Sequence, residues 1–163
     1  MVDRWGFRII LATALSILAP VTANAQQAAA QYPFSGARTV MTRQPFDVVV
    51  DRLEKAIAAN KMGLVAQASA SRGAASRGLK IRGNAVLMVF RNDYAVRMLE
   101  ASVPAGIEAP LRLYVTEVQD DRTNITWRTP SATFAPYAGD GLAALARELD
   151  PIIEKIVRDA TAN

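Results

Sequence analysis

The sequence predicts a two-layer α+β domain in the order β-α-β-α-β-α-β-β-α, with helices packed on one mixed sheet and a C-terminal kinked helix. Three observations carry that expectation. Stretches with apolar residues at helical spacing alternate with short segments of strand length. LRLYVTEV and NITWRT, joined by Asp120-Asp121-Arg122, alternate as the two arms of an antiparallel hairpin do. The closing segment, 139–160, holds Leu142, Leu145, Leu149, Ile152, Ile153 and Ile156 in one helical phase.

The chain of 163 residues opens with Arg4 and Arg8, a thirteen-residue membrane-seeking run from Ile9 to Val21, and Ala23-Asn24-Ala25 before Gln26. This is the pattern of a cleaved secretory signal peptide over residues 1–25, with the cut between Ala25 and Gln26. The run is shorter than the roughly 20 residues that cross a bilayer, so no stable transmembrane anchor is expected after cleavage. The expected location is periplasmic or secreted. Residues 26–37, QQAAAQYPFSGA, form a flexible leader, and 38–163 a single domain.

Within the domain, RTVMTR (38–43) alternates as a half-buried strand does. Pro45 then opens a helix, where its missing N–H is harmless, and Phe46, Val49, Val50, Leu53 and Ile57 form its apolar stripe. Gly63 ends that unit and Leu64 to Ala68 is a second strand. ASRGA and ASRGL repeat over 70–79 and predict a short Ala-rich helix weakened by Gly73 and Gly78. With Gly83 these glycines are spaced by five, but Leu79 precedes Lys80 and Ile81 where a phosphate-cradling loop needs Lys and then Ser or Thr. AVLMVF (85–90) reads as a central strand covered on both faces. Asp93 to Ala101 is helical through Val96, Leu99 and Met98, and a loop holding Pro104, Gly106 and Pro110 leads to the hairpin. Pro151 interrupts the last helix, with Asp150 placed to cap a restarted segment.

Composition excludes whole classes of chemistry. Cysteine and histidine are both absent, which removes Ser-His-Asp and Cys-His nucleophile systems, ordinary zinc sites and His-ligated haem. The acids show no calcium-loop spacing and the methionines follow apolar patterns. No metal and no cofactor is expected, and the domain must hold itself together by burial without disulfides. Removing Asp3, Arg4 and Arg8 changes the formal charge from +4 to +3. No acid occurs between Met62 and Asn92, while Arg72, Arg77, Lys80, Arg82 and Arg91 all fall there. Such a patch suits envelope anions or an acidic partner, and export makes nucleic acid an unexpected partner.

Several local strings then resemble a known family. AGIEAPLRLYV (105–115) is similar to the Ala-Gly-Leu-Asp-Leu-Pro-Leu segment of the "domain of unknown function 302" family of bacteria and archaea. FRND keeps Phe90 and Asn92 of that family's Phe-Gly-Asn-Pro, and Pro104, Gly106, Pro110, Trp127 and Pro130 occupy matching positions. The resemblance spans Arg38 to Ala160 and implies a two-layer α+β fold and a homodimer, with no established reaction to transfer. Many members carry a histidine near the start of the second helix, where this chain has Ser69 or Ser71.

The leading functional expectation is a non-catalytic envelope module that binds a small anionic ligand or a partner protein. Its candidate surface is the hairpin face of Arg112, Tyr114, Thr116, Thr126 and Arg128, two guanidiniums beside a phenol. The competing uses of that face are a solvated sheet surface or a dimer interface. Phe134 and Tyr137 are read as a lid, with stapling of the loop to the core as the alternative. A rival reading is a hydrolase or isomerase using Glu100, Glu108 or Glu117 with Tyr or Lys. A third is binding to anionic envelope lipid through the basic patch.

Overall fold

The computed structural model describes residues 34–119 and 121–162. The expected signal peptide 1–25, its cut between Ala25 and Gln26, and residues 26–33 of the expected flexible leader lie outside them.

The elements follow in the order β1 (Ala37–Thr42), α1 (Phe46–Ala59), β2 (Gly63–Ala68), α2 (Ala70–Ala75), β3 (Asn84–Phe90), α3 (Asn92–Ala101), a 3-10 segment (Val103–Glu108), β4 (Leu111–Glu117), β5 (Thr123–Arg128), α4 (Pro130–Phe134) and α5 (Asp140–Thr161). The strands form one five-stranded sheet, β1-β5-β4-β3-β2. Every neighbouring pair is antiparallel, which corrects the expected mixed sheet. The β1-α1-β2 crossover spans the sheet from one edge to the other, so the strands it leaves parallel are never adjacent. The α3 and 3-10 connection reverses the chain between β3 and β4 rather than carrying it forward.

One hydrophobic cluster, drawn from Phe46 to Ala160, holds the layers together. The sheet contributes Ala85, Leu87, Val89, Leu113, Val115, Ile125 and Trp127 from a single face. Helices α1, α3, α4 and α5 all bury residues in that cluster, whereas α2 adds nothing to it. Each fully buried Leu or Ile contributes about 1.5–3 kcal/mol. The alternate residues of β3, Val86, Met88 and Phe90, are only half-buried. The strand expected to be covered on both faces is therefore covered on one. No helix of the described residues is long and apolar enough to cross a membrane.

Helix phases largely follow the apolar spacing. The α1 stripe is buried as its pattern implies, and α5 buries Leu142, Leu145, Leu149, Ile153 and Ile156. In α3 the phase differs: Tyr94 and Met98 are buried, while Val96 and Leu99 are 47% and 44% exposed. The aromatic at Tyr94 and its i+4 partner Met98 win the core side. Helix α5 runs unbroken through Pro151. Asp150 caps a different helix from the one expected: its carboxylate accepts from the Ser131 amide at 2.9 Å and the Ser131 hydroxyl at 2.5 Å, at the start of α4.

The end of α1 is closed without glycine. Met62 N–H donates to Ile57 O at 3.0 Å and Lys61 N–H to Ala58 O at 2.9 Å, the Schellman arrangement. Its left-handed position is taken by Lys61, with φ 57°. A side chain there costs about 1–2 kcal/mol. Lys61→Gly is therefore expected to stabilise the domain by about 1 kcal/mol, read as a higher urea midpoint with an unchanged m-value. A lowered midpoint contradicts the strain assignment.

Candidate functional site

The hairpin face is built by alternation. With Leu113, Val115, Ile125 and Trp127 turned into the core, Arg112, Tyr114, Thr116, Asn124, Thr126 and Arg128 occupy the side of the sheet away from the core. Tyr114 is paired directly with Thr126. The same register, carried two residues further, brings Arg112 toward Arg128. These guanidiniums border two adjoining hollows. One, of about 160 Å³, is lined by Phe34, Ala37, Tyr114, Thr126 and Trp127 with both arginines. The other, of about 70 Å³, adds Glu108, Leu111 and Thr133.

The polar groups around these hollows are held in place from several directions. Thr126 shares a 3.0 Å hydrogen bond with Thr39 across the β1–β5 pair. Tyr114 accepts from Asn84 Nδ2 at 2.5 Å. Arg128 Nη2 donates to Ala132 O at 2.9 Å, and its guanidinium carbon lies 5.5 Å from the centre of the Phe34 ring. Its Nε–H is buried without an acceptor among the described residues. Arg112 is 60% exposed and lies 3.7 Å from the Glu108 carboxylate. Like charges on facing positions of neighbouring strands repel. A carboxylate or phosphate between these two guanidiniums removes that repulsion and supplies the geometry that such forks favour.

Four of the five expected binding residues thus meet at one place. Thr116 does not; four residues along β4 from Arg112, it lies roughly 13 Å away at 3.3 Å per residue. Phe134 is 4% exposed and packs in the core, so it acts as the staple rather than the lid. Tyr137 joins the site indirectly: its hydroxyl donates to Glu108 Oε1 at 3.0 Å, behind the Arg112 contact. Among the acids expected for catalysis, Glu117 accepts from the Gly83 amide at 2.7 Å and borders a different hollow from Glu108, while Glu100 is exposed. Glu108, Phe34 and Ala37 are additions to the sequence-derived site. Helix α4 explains one of them, since it returns the chain to Glu108. Its signal was present as Thr129-Pro130, a capping residue before proline; the Thr129 hydroxyl accepts from Ala132 N–H at 3.2 Å.

The basic patch divides. Arg72, Arg77, Lys80 and Arg82 belong to α2 and the loop after it, whereas Arg91 stands at the opposite end of β3, roughly 20 Å away. There it pairs with Asp93 at 2.6 Å and stacks 3.9 Å above the Tyr94 ring. Ser69 and Ser71, at the start of α2, both donate to Asn84 O, at 2.8 and 3.2 Å. Phe90 and Asn92 flank the β3–α3 junction; Pro104 and Gly106 lie in the 3-10 segment; Pro110 precedes β4, Trp127 is in β5 and Pro130 opens α4.

Comparison with known proteins follows the same outline. The family model described as Domain of unknown function DUF302 matches residues 38–160. A crystal structure of an uncharacterized conserved DUF302 protein from Bacillus stearothermophilus is similar, with a TM-score of 0.69 at 19% identity, covering 77% of this chain and 98% of that one. No curated protein matches.

The Glu108 contact raises the Tyr137 pKa above the ordinary tyrosine value, the hydrogen bond acting first and burial second. A group with a raised folded-state pKa stabilises fully below its unfolded value, near 10, and loses that contribution as pH climbs through the folded one. NMR titration of labelled tyrosine is expected to show Tyr137 ionising above free tyrosine, and Glu108→Gln to return it toward the ordinary value. A Tyr137 transition unchanged by Glu108→Gln contradicts the contact.

Proposed function

The chain belongs to the DUF302 family, whose description assigns no activity, and from that premise we propose that it is a non-catalytic module binding a small anionic ligand on the open hairpin face. The observation that carries this reading is the approach of Arg112 and Arg128 from neighbouring strands onto shared hollows, with Glu108 as the only ion-pair partner of either among the described residues. Two donors with planar forks favour a carboxylate or phosphate group. Tyr114 offers a hydroxyl, Thr126, which is 5% exposed and bonded to Thr39, lines the hollow, and Phe34, which is 65% exposed, offers an apolar edge for the remainder of the ligand.

The module is assigned to the cell envelope by its first residues. Arg4, Arg8, the run from Ile9 to Val21 and Ala23-Asn24-Ala25 support export and cleavage before Gln26. Mass spectrometry of protein secreted by its own host tests this by the mass of the N-terminal peptide.

Binding is tested with benzoate, succinate and inorganic phosphate as probes. A ligand at about one hundred times its Kd stabilises the folded state by about 2.7 kcal/mol, readily seen in a melting curve. At least one probe is expected to raise Tm, and Arg112→Ala to abolish that rise without lowering the ligand-free Tm, because the substitution also removes repulsion with Arg128. Absence of any rise, or a rise that survives Arg112→Ala and Arg128→Ala together, overturns the assignment.

A further inference from the structure

The loop that follows α2 is built to project apolar and basic side chains together. Residues 75–82 are exposed without interruption. Among them Leu79 is 54% and Ile81 50% exposed, and Arg77, Lys80 and Arg82 are interleaved with these two. The next chain charge of opposite sign is far off in sequence, since no acid occurs between Met62 and Asn92.

The loop has a defined origin. Leu79 N–H donates to Ala74 O at 3.0 Å and Gly78 N–H to Ala75 O at 2.9 Å, with Gly78 at φ 74°. This is the arrangement that closes α1, and in it the residue after the left-handed position normally packs back on its helix. Met62 does so and is 6% exposed; Leu79, in the equivalent position, is left in solvent. At its far end the loop is fixed by Gly83, whose amide is bonded to Glu117 and which lies so close to the Phe46 ring that a Cβ would meet it at 2.4 Å. The loop is therefore anchored at both ends. The repeated ASRG strings take different roles, the first within α2 and the second as its closure.

We infer that this loop is a docking surface for an anionic lipid bilayer, with Leu79 and Ile81 entering the interface and Arg77, Lys80 and Arg82 contacting the headgroups. Charge complementarity selects an anionic surface, and the aliphatic tips select lipid over nucleic acid, which rewards aromatic stacking instead. Asp47, Glu117 and Asp121 border the hollow that Arg72 and Ile81 also line, and Glu117 is engaged by the Gly83 amide. The inference stands apart from the Arg112 and Arg128 site, which lies elsewhere on the molecule.

The test is co-sedimentation of the chain beginning at Gln26, which keeps the whole core and omits the apolar leader, with vesicles of equal parts phosphatidylcholine and phosphatidylglycerol. Binding is expected to be much stronger than to phosphatidylcholine alone and to weaken as salt rises. At about five-fold per basic residue, Arg77→Ala/Lys80→Ala/Arg82→Ala together lower partitioning on the order of a hundred-fold. Leu79→Ser with Ile81→Ser lowers it about ten-fold. Arg43→Ala/Lys55→Ala/Arg147→Ala removes equal charge from other exposed positions and is expected to leave binding nearly intact. Equal losses in the two charge variants, no effect of the Leu79 and Ile81 pair, or tighter binding to duplex DNA than to the anionic vesicles each overturn the inference.

Discussion

Leu87, Leu113, Val115 and Ile125 are fully buried on one face of the sheet, against residues of α1 and α5, and the remaining features of the domain depend on that packing being one-sided. Because alternate residues of a strand face opposite ways, burying these four commits Met88, Arg112, Tyr114, Thr126 and their neighbours to the second face. That face carries two guanidiniums, a phenol and hydroxyls. A second helical layer would have to desolvate those charges without compensation, at a cost of several kcal/mol per ion. The same choice that builds the core therefore leaves Arg112 and Arg128 on the face away from it.

Much of this architecture was legible because burial and alternation leave strong traces. In the hairpin, Leu111, Leu113 and Val115 against Arg112, Tyr114 and Thr116 gave the two faces directly, and Ile125 and Trp127 did the same on the return strand. The α1 and α5 stripes were equally plain. What escaped was decided by contacts between distant segments. Strand direction in the sheet depends on where the α1 crossover lands, and no local pattern records that. The α3 face was misplaced because Val96 and Leu99 have the spacing of core residues, while Tyr94, backed by stacking with Arg91 and by Met98, takes the buried side. Pro151 suggested a restart because proline removes a helical donor; Asp150 instead spends its carboxylate on α4.

The candidate site was legible in the same uneven way. Alternation alone placed Arg112, Tyr114, Thr126 and Arg128 on one surface, but only the register brings the two arginines together and sends Thr116 away along β4. Glu108 and Phe34 enter from segments that precede the hairpin by different routes, so spacing offered no clue to them. Phe134 illustrates the opposite error: an aromatic in a Pro-flanked segment suggested a lid, yet α4 carries it into the core. The stretch free of acids was real as sequence but is two places in space, since β3 separates Arg82 from Arg91.

Methionine oxidation tests the one-sided sheet most directly, because the chain has reporters on both sides. Met41 is 56% exposed and Met88 belongs to the open face, whereas Met62 and Met98 are 6% and 4% exposed in the core. Peptide mapping after mild peroxide treatment of the folded protein is expected to find Met41 and Met88 converted to the sulfoxide well before Met62 and Met98, with the difference vanishing on denaturation. Protection of Met88 equal to that of Met62 would contradict an open second face and remove the site that rests on it.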